Sequence, residues 1–214
     1  MPRLFLASTS PRRKLLLEQA GIPFEFTDPA IDDGVLVPGE VTPEQWVASL
    51  AFLKASAGIE GLPARDPDEH WLVLGADTLV VQDGELIGQP RDADHAREII
   101  ELLACNSHQV HTGVAILDPR KGDRHMFVDS ARVTVGDIPG REINAYVNSG
   151  NWRGKAGAYN LHERLDAGWP ITFTGDPTTI VGLPMQRLVR LLTRLGVKAS
   201  DPDATILNNS GTSL

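Results

Sequence analysis

The chain has almost no cysteine, no long apolar run and no excess of positive charge, and each shortage closes off a class of function. A single Cys105 excludes an internal disulfide framework and any cysteine-rich zinc site. No apolar stretch approaches the roughly 20 residues of a membrane-spanning helix. The polar run Ser8–Lys14 stands where a signal peptide would need its apolar core. A formal charge of −8 and a pI near 5.2 argue against broad binding to nucleic acid or to anionic membranes. A soluble protein of a reducing compartment is expected, most simply the cytoplasm. What remains is ample for a core: 214 residues, 42% hydrophobic and 22% charged, within the range of one α/β domain or two packed lobes.

In an acidic chain, cations meant for an anion must be gathered locally, and the first candidate is Leu4–Arg13, L-F-L-A-S-T-S-P-R-R. It reads as a buried strand, a hydroxyl-rich turn and a helix. Ser10 suits the N-cap, its hydroxyl accepting from a free backbone N–H, and Pro11 suits the first helical position. Arg12 and Arg13 then fall in the first turn, where the helix dipole disfavours cations. A bound phosphate explains that placement, and solvated surface arginines are the bland alternative.

Further on, Phe24–Phe26 is extended and a loop runs from Asp28 to Gly39. Thr42-Pro43-Glu44-Gln45 opens a helix with a capping box, its apolar face made by Trp46, Val47, Leu50, Ala51 and Leu53. Gly58–Glu69 reads as a surface loop. Trp71–Leu74 is a strand buried on both faces that ends in Gly75-Ala76-Asp77-Thr78. Leu79–Val81 continues it, and Asp83-Gly84 is a tight hairpin turn back through Leu86-Ile87. Asp92–Ala104 is a helix burying Ala96, Ile99, Ile100 and Leu103. His108–Leu117 and Arg124–Val135 form an antiparallel pair, and Pro139–Val147 is a helix closed at Gly150. Trp169–Phe173 and Thr179–Val181 read as short strands, and Pro184–Leu195 as a helix. Helices alternate with strands around one antiparallel pair, so an α/β fold with a mixed, partly antiparallel sheet is expected. Residues 1–199 are read as one domain and 200–214 as a polar tail that does not order.

Asp77 is the most informative acid. At the end of a buried strand its carboxylate would emerge into a crevice, where it can hold a divalent cation or act as general base to water. A loop hydrogen bond with Thr78 is the plain alternative. Lys54 and Lys155 are long enough to reach a phosphate, though each alone is more often a solvated lysine. Lys155 sits in G-K-A-G, half a P-loop. Gly150 is one residue too close and Ala156 replaces the hydroxyl, so a P-loop NTPase is rejected. His162-Glu163 begins H-E-x-x-H but ends in Asp166, which removes the metalloprotease pair. His108 and His111 would point to opposite faces of a strand and read as core-edge or surface residues. Asp32 and Asp33 are more often a solvated acidic turn, and Cys105 reads as a packed thiol.

Taken together, L-A-S-T-S-P-R-R-K-L-L, Leu53-Lys54-Ala55, G-A-D-T at 75–78, H-Q-V-H-T-G-V at 108–114, K-A-G-A-Y at 155–159 and V-G-L-P at 181–184 resemble the Maf family of nucleoside triphosphate pyrophosphatases, from residue 3 to about 196. The resemblance implies an inosine triphosphatase-like fold with two lobes around a cleft. It implies hydrolysis between the α and β phosphates, giving a monophosphate and pyrophosphate. Asp77 would be the base activating water, with Asp33 and Asp77 beside a divalent cation, Mg or Mn. Ser8, Arg12, Arg13, Lys54 and Lys155 match positions that hold the phosphates or complete the site, and Thr78 resembles the branch taking dTTP and UTP. A homodimer fits the same resemblance. The departures are Gln89 for a lysine, Asn151 and Gly154 for two acids, and His162 for a glutamine associated with the base. The motif G-I-Q-G becomes Asn160-Leu161-His162-Glu163. Removing one cation from a shielded phosphate site costs roughly 2–4 kcal/mol of transition-state stabilisation. A nucleotide-binding regulator with weakened catalysis, and the same chemistry on a modified nucleotide, therefore stay open as alternatives.

Overall fold

A computed structural model describes residues 1–31, 36–63 and 69–199. Among the described residues, seven strands form one sheet: β1 (Arg3–Ala7), β2 (Phe24–Thr27), β3 (Trp71–Gln82), β4 (Glu85–Ile87), β5 (Asn106–Asp118), β6 (Asp123–Val135) and β7 (Ile171–Thr174). Their order is β2-β1-β3-β5-β6-β7, with β4 paired to β3 at one end. β2-β1-β3 are parallel and the remaining pairings antiparallel, the mixed sheet expected from the sequence.

The helices are α1 (Pro11–Gln19), α2 (Pro43–Glu60), α3 (Ala93–Leu103), α4 (Gly140–Ser149), α5 (Leu161–Asp166), α6 (Pro177–Val181) and α7 (Met185–Arg194). The capping box of α2 forms as expected, Thr42 accepting from the Gln45 N–H and the Gln45 side chain from that of Thr42. At α1 the serines exchange roles. Ser10 holds the N-cap position without a side-chain bond, and Ser8 Oγ accepts from the Ser10 N–H at 3.2 Å.

Alternation along β3 separates two faces. Val73 joins Phe5, Ala7, Ala115 and Leu117 beneath Ala51 and Ala55 of α2. The other face carries two cores. One gathers Leu4, Leu6, Leu72 and Leu74 with Leu17 of α1 and Leu188 and Leu192 of α7. The other gathers Val80, Val110 and Val133 with Ile99, Ile100 and Leu103 of α3 and Ile143 and Val147 of α4. Helix α2 lies unusually close to the sheet, because a Cβ on Gly75 would stand 2.3 Å from the Ala51 carbonyl oxygen and one on Gly113 2.4 Å from that of Val47.

Several expectations need correction. β3 does not end at Asp77; it runs unbroken to Gln82, so that acid sits in mid-strand. Gly58 belongs to α2 rather than to a loop, its missing Cβ admitting Ala7 of β1. Thr179–Val181 is helical, within a turn opened by Pro177 and capped by Asp176. His108 and His111 are buried rather than superficial, each bonded to a hydroxyl: His108 Nε2 to Tyr159 Oη and His111 Nδ1 to Ser130 Oγ, at 2.8 and 2.7 Å. Cys105 is exposed at positive φ instead of packed. Asp33 and the 200–214 tail lie outside the described residues.

Candidate active site

The site begins where the edge of β3 loses its neighbours. β1 pairs with Trp71–Leu74 and β4 with Val80–Gln82, which leaves Asp77 on a stretch that neither strand covers. On its other edge Asp77 pairs with Gly113 of β5. A cleft of about 320 Å³ opens there, lined by the Ser8–Arg13 turn, Lys54, Asp77, Thr78, Gln89 and Tyr159 among others.

Asp77 and Thr78, being adjacent in a strand, serve opposite faces. Asp77 turns toward α2, where Lys54 Nζ donates to its Oδ1 at 2.6 Å with both side chains largely buried. The glycines at 75 and 113 make this approach possible by letting α2 settle onto β3 and β5. Thr78 faces the other way, into a relay of polar groups. Thr112 Oγ1 donates to the Thr179 carbonyl at 2.7 Å, so its single proton is committed. Thr78 Oγ1, 2.9 Å from Thr112 Oγ1, must therefore be the donor of that pair. Its lone pairs are left to accept from Arg13 Nη2 at 3.4 Å.

Arg13 fastens three segments at once, donating also to Ser8 Oγ at 3.3 Å and to the Gly182 carbonyl at 3.0 Å. It thus ties the first turn of α1 to the end of α6 and shapes the Ser8–Arg13 turn. Arg12 beside it lines the cleft half-buried. Burial lowers its pKa, opposed by the charges of Glu163 and Tyr146.

Not every residue expected at the site is brought to it. Gln89 lines the cleft from an exposed position. Lys155 is flanked by the cleft-lining Gly154 and Ala156, but its ammonium is bonded to Glu163 Oε2 at 2.5 Å. His162 is exposed and does not line the cleft; the next residue of that motif, Glu163, is also exposed and is the one paired with Lys155. Tyr159 and Asn160 line the cleft without having been singled out by sequence. Their position just after K-A-G-A was the available signal. Among the described residues, no three of His, Cys, Asp and Glu converge on a common point.

A family profile described as "Maf-like protein" matches residues 3–195. The chain belongs to the Maf-like family. Three curated relatives named dTTP/UTP pyrophosphatase support this placement. The protein from Geobacillus sp. (strain WCH70) is 39% identical over 196 residues, 92% of this chain and 100% of the relative. That from Bacillus cereus (strain G9842) is 37% identical over 92% of this chain and 97% of its own length. That from Alkalilimnicola ehrlichii is 36% identical over 89% and 92%. This Maf-like protein carries the site described above on the mixed sheet expected for it, and no described helix is long and apolar enough to cross a membrane.

Proposed function

We propose that this Maf-like protein hydrolyses nucleoside triphosphates, of the dTTP/UTP type named for its relatives, to the monophosphate and pyrophosphate. One observation carries the reading: a buried carboxylate, Asp77, is fixed by Lys54 on one wall of a cleft whose other wall is Ser8, Arg12 and Arg13. Phosphoryl transfer asks little covalent chemistry of a protein; it needs positioned positive charge and an oriented nucleophile. The arginine turn would take the phosphate oxygens, and Lys54 holds the carboxylate that would accept the proton of the attacking water. The released electron pair leaves on the pyrophosphate oxygen. Asp77 would also give a divalent cation one hard oxygen; Asp33, proposed beside it, lies outside the described residues. Such a cation, when bound, neutralises the polyphosphate and helps acidify water.

The test is pyrophosphate release across a panel of canonical and modified triphosphates with Mg²⁺ or Mn²⁺. Turnover of dTTP or UTP that falls by about 10² to 10⁴ in Asp77→Asn is the expected result, the usual worth of a general base. No pyrophosphate from any nucleotide would overturn the proposal. Tight binding without turnover would favour a nucleotide-binding regulator, the second reading, which Gln89 and the paired Lys155 motivate.

A further inference from the structure

Glu163 occupies a place that the proposed reaction does not use. Lys155 is held rigidly, its N–H bonded to the Trp152 carbonyl and its own carbonyl to the Ala158 N–H, between Gly154 and Gly157, both at positive φ. Its side chain is only 11% exposed, whereas that of Glu163 is 44% exposed. Glu163 stands in the first turn of α5, its N–H capped by Asn160 Oδ1 at 3.1 Å. The pair is therefore asymmetric. The carboxylate is the water-facing partner and the ammonium the buried one. The charge of the same carboxylate also acts on the cleft-lining Arg12, so one anion stands near two cations at the edge of the site.

We infer that Glu163 is an internal counter-ion that occupies Lys155 until a polyphosphate displaces it, and so sets the charge an anion must carry to be held. The inference rests on the proposed phosphate site. A bound triphosphate takes over Lys155 while Glu163 turns to solvent. On departure of pyrophosphate the carboxylate returns, which keeps the lysine from retaining product. The device makes Glu163 a specificity-determining residue that favours triphosphates over less charged anions. It also accounts for an acid beside that lysine, which gives the buried ammonium a charge-assisted partner while no polyphosphate is bound.

The experiment is calorimetry with inorganic tripolyphosphate on the full chain, followed by steady-state kinetics. Glu163→Gln is expected to bind tripolyphosphate about tenfold tighter than wild type, and to lower KM for the nucleotide without raising kcat. Adding Lys155→Met should abolish that gain. Glu163→Asp shortens the carboxylate without leaving Lys155 uncompensated; it should fall between the two and serves if Glu163→Gln does not fold. Equal or weaker binding by Glu163→Gln and Glu163→Asp, in a wild type that does bind tripolyphosphate, overturns the counter-ion while leaving the phosphate site standing. Absence of tripolyphosphate binding in folded wild type overturns the site itself and the inference with it.

Discussion

His108 shows how much one buried side chain can weigh. It is 2% exposed, bonded to Tyr159 through Nε2, and burial pushes its pKa from 6.5 down to about 4. The folded chain thus keeps it neutral where the unfolded chain binds a proton. Its contribution to stability is fully present above pH 6.5 and is lost as pH falls toward 4, with an upper bound of about 3 kcal/mol. Urea midpoints measured at neutral pH and near pH 4.5 should show this as a steep loss in wild type and a shallower one in His108→Phe. The variant should also lose about 1–2 kcal/mol at neutral pH, because the Tyr159 hydroxyl is left without its partner. Identical pH slopes would remove His108 as the cause. A residue pattern alone could not have found this: the sequence placed the two histidines on opposite faces, as they are, but not their depth. Depth depends on which elements cover β5, and no local periodicity encodes that.

At the scale of elements, the decisive packing is that of α2 on the sheet. The capping box, the α3 core residues, the β5–β6 pair and the Asp83-Gly84 turn were all legible, because each is written in neighbouring residues. The close approach of α2 was not, because Gly58 reads locally as part of a loop and Gly75 and Gly113 as parts of extended runs. Their role is to lack a Cβ. Gly75→Ala and Gly113→Ala should each cost roughly 1–3 kcal/mol by overpacking. Each should also reduce kcat/KM well beyond its effect on folding, since α2 carries Lys54 toward Asp77. Gly140→Ala, where an added Cβ meets nothing within 4 Å, is the matched control. Urea melts and kinetics on the folded variants check this, and unchanged kcat/KM in Gly75→Ala would detach Lys54 from the reaction. The candidate site was partly legible in the same way. The arginine turn and Asp77 stand out as motifs, whereas Glu163 declares itself only once α5 brings it against Lys155.

The molecule as a whole is acidic, yet Arg12, Arg13 and Lys54 line one cleft at the bare edge of β3. A triphosphate held there binds the folded chain alone, and at a hundred times its dissociation constant adds about 2.7 kcal/mol of stability. For a chain of this size the thermal midpoint should rise roughly 5–10 °C. High salt should shrink the rise by screening the charges. A midpoint indifferent to nucleotide would place binding elsewhere. The two cores are not joined by a linker: β3 threads both, and Asp77 rides on it at the bare edge between β1 and β4. Mechanically the acid rides on a beam that both cores share, and the arginines follow directly from the end of β1, the strand paired beside it, so one sheet register sets the acid and the arginine turn side by side.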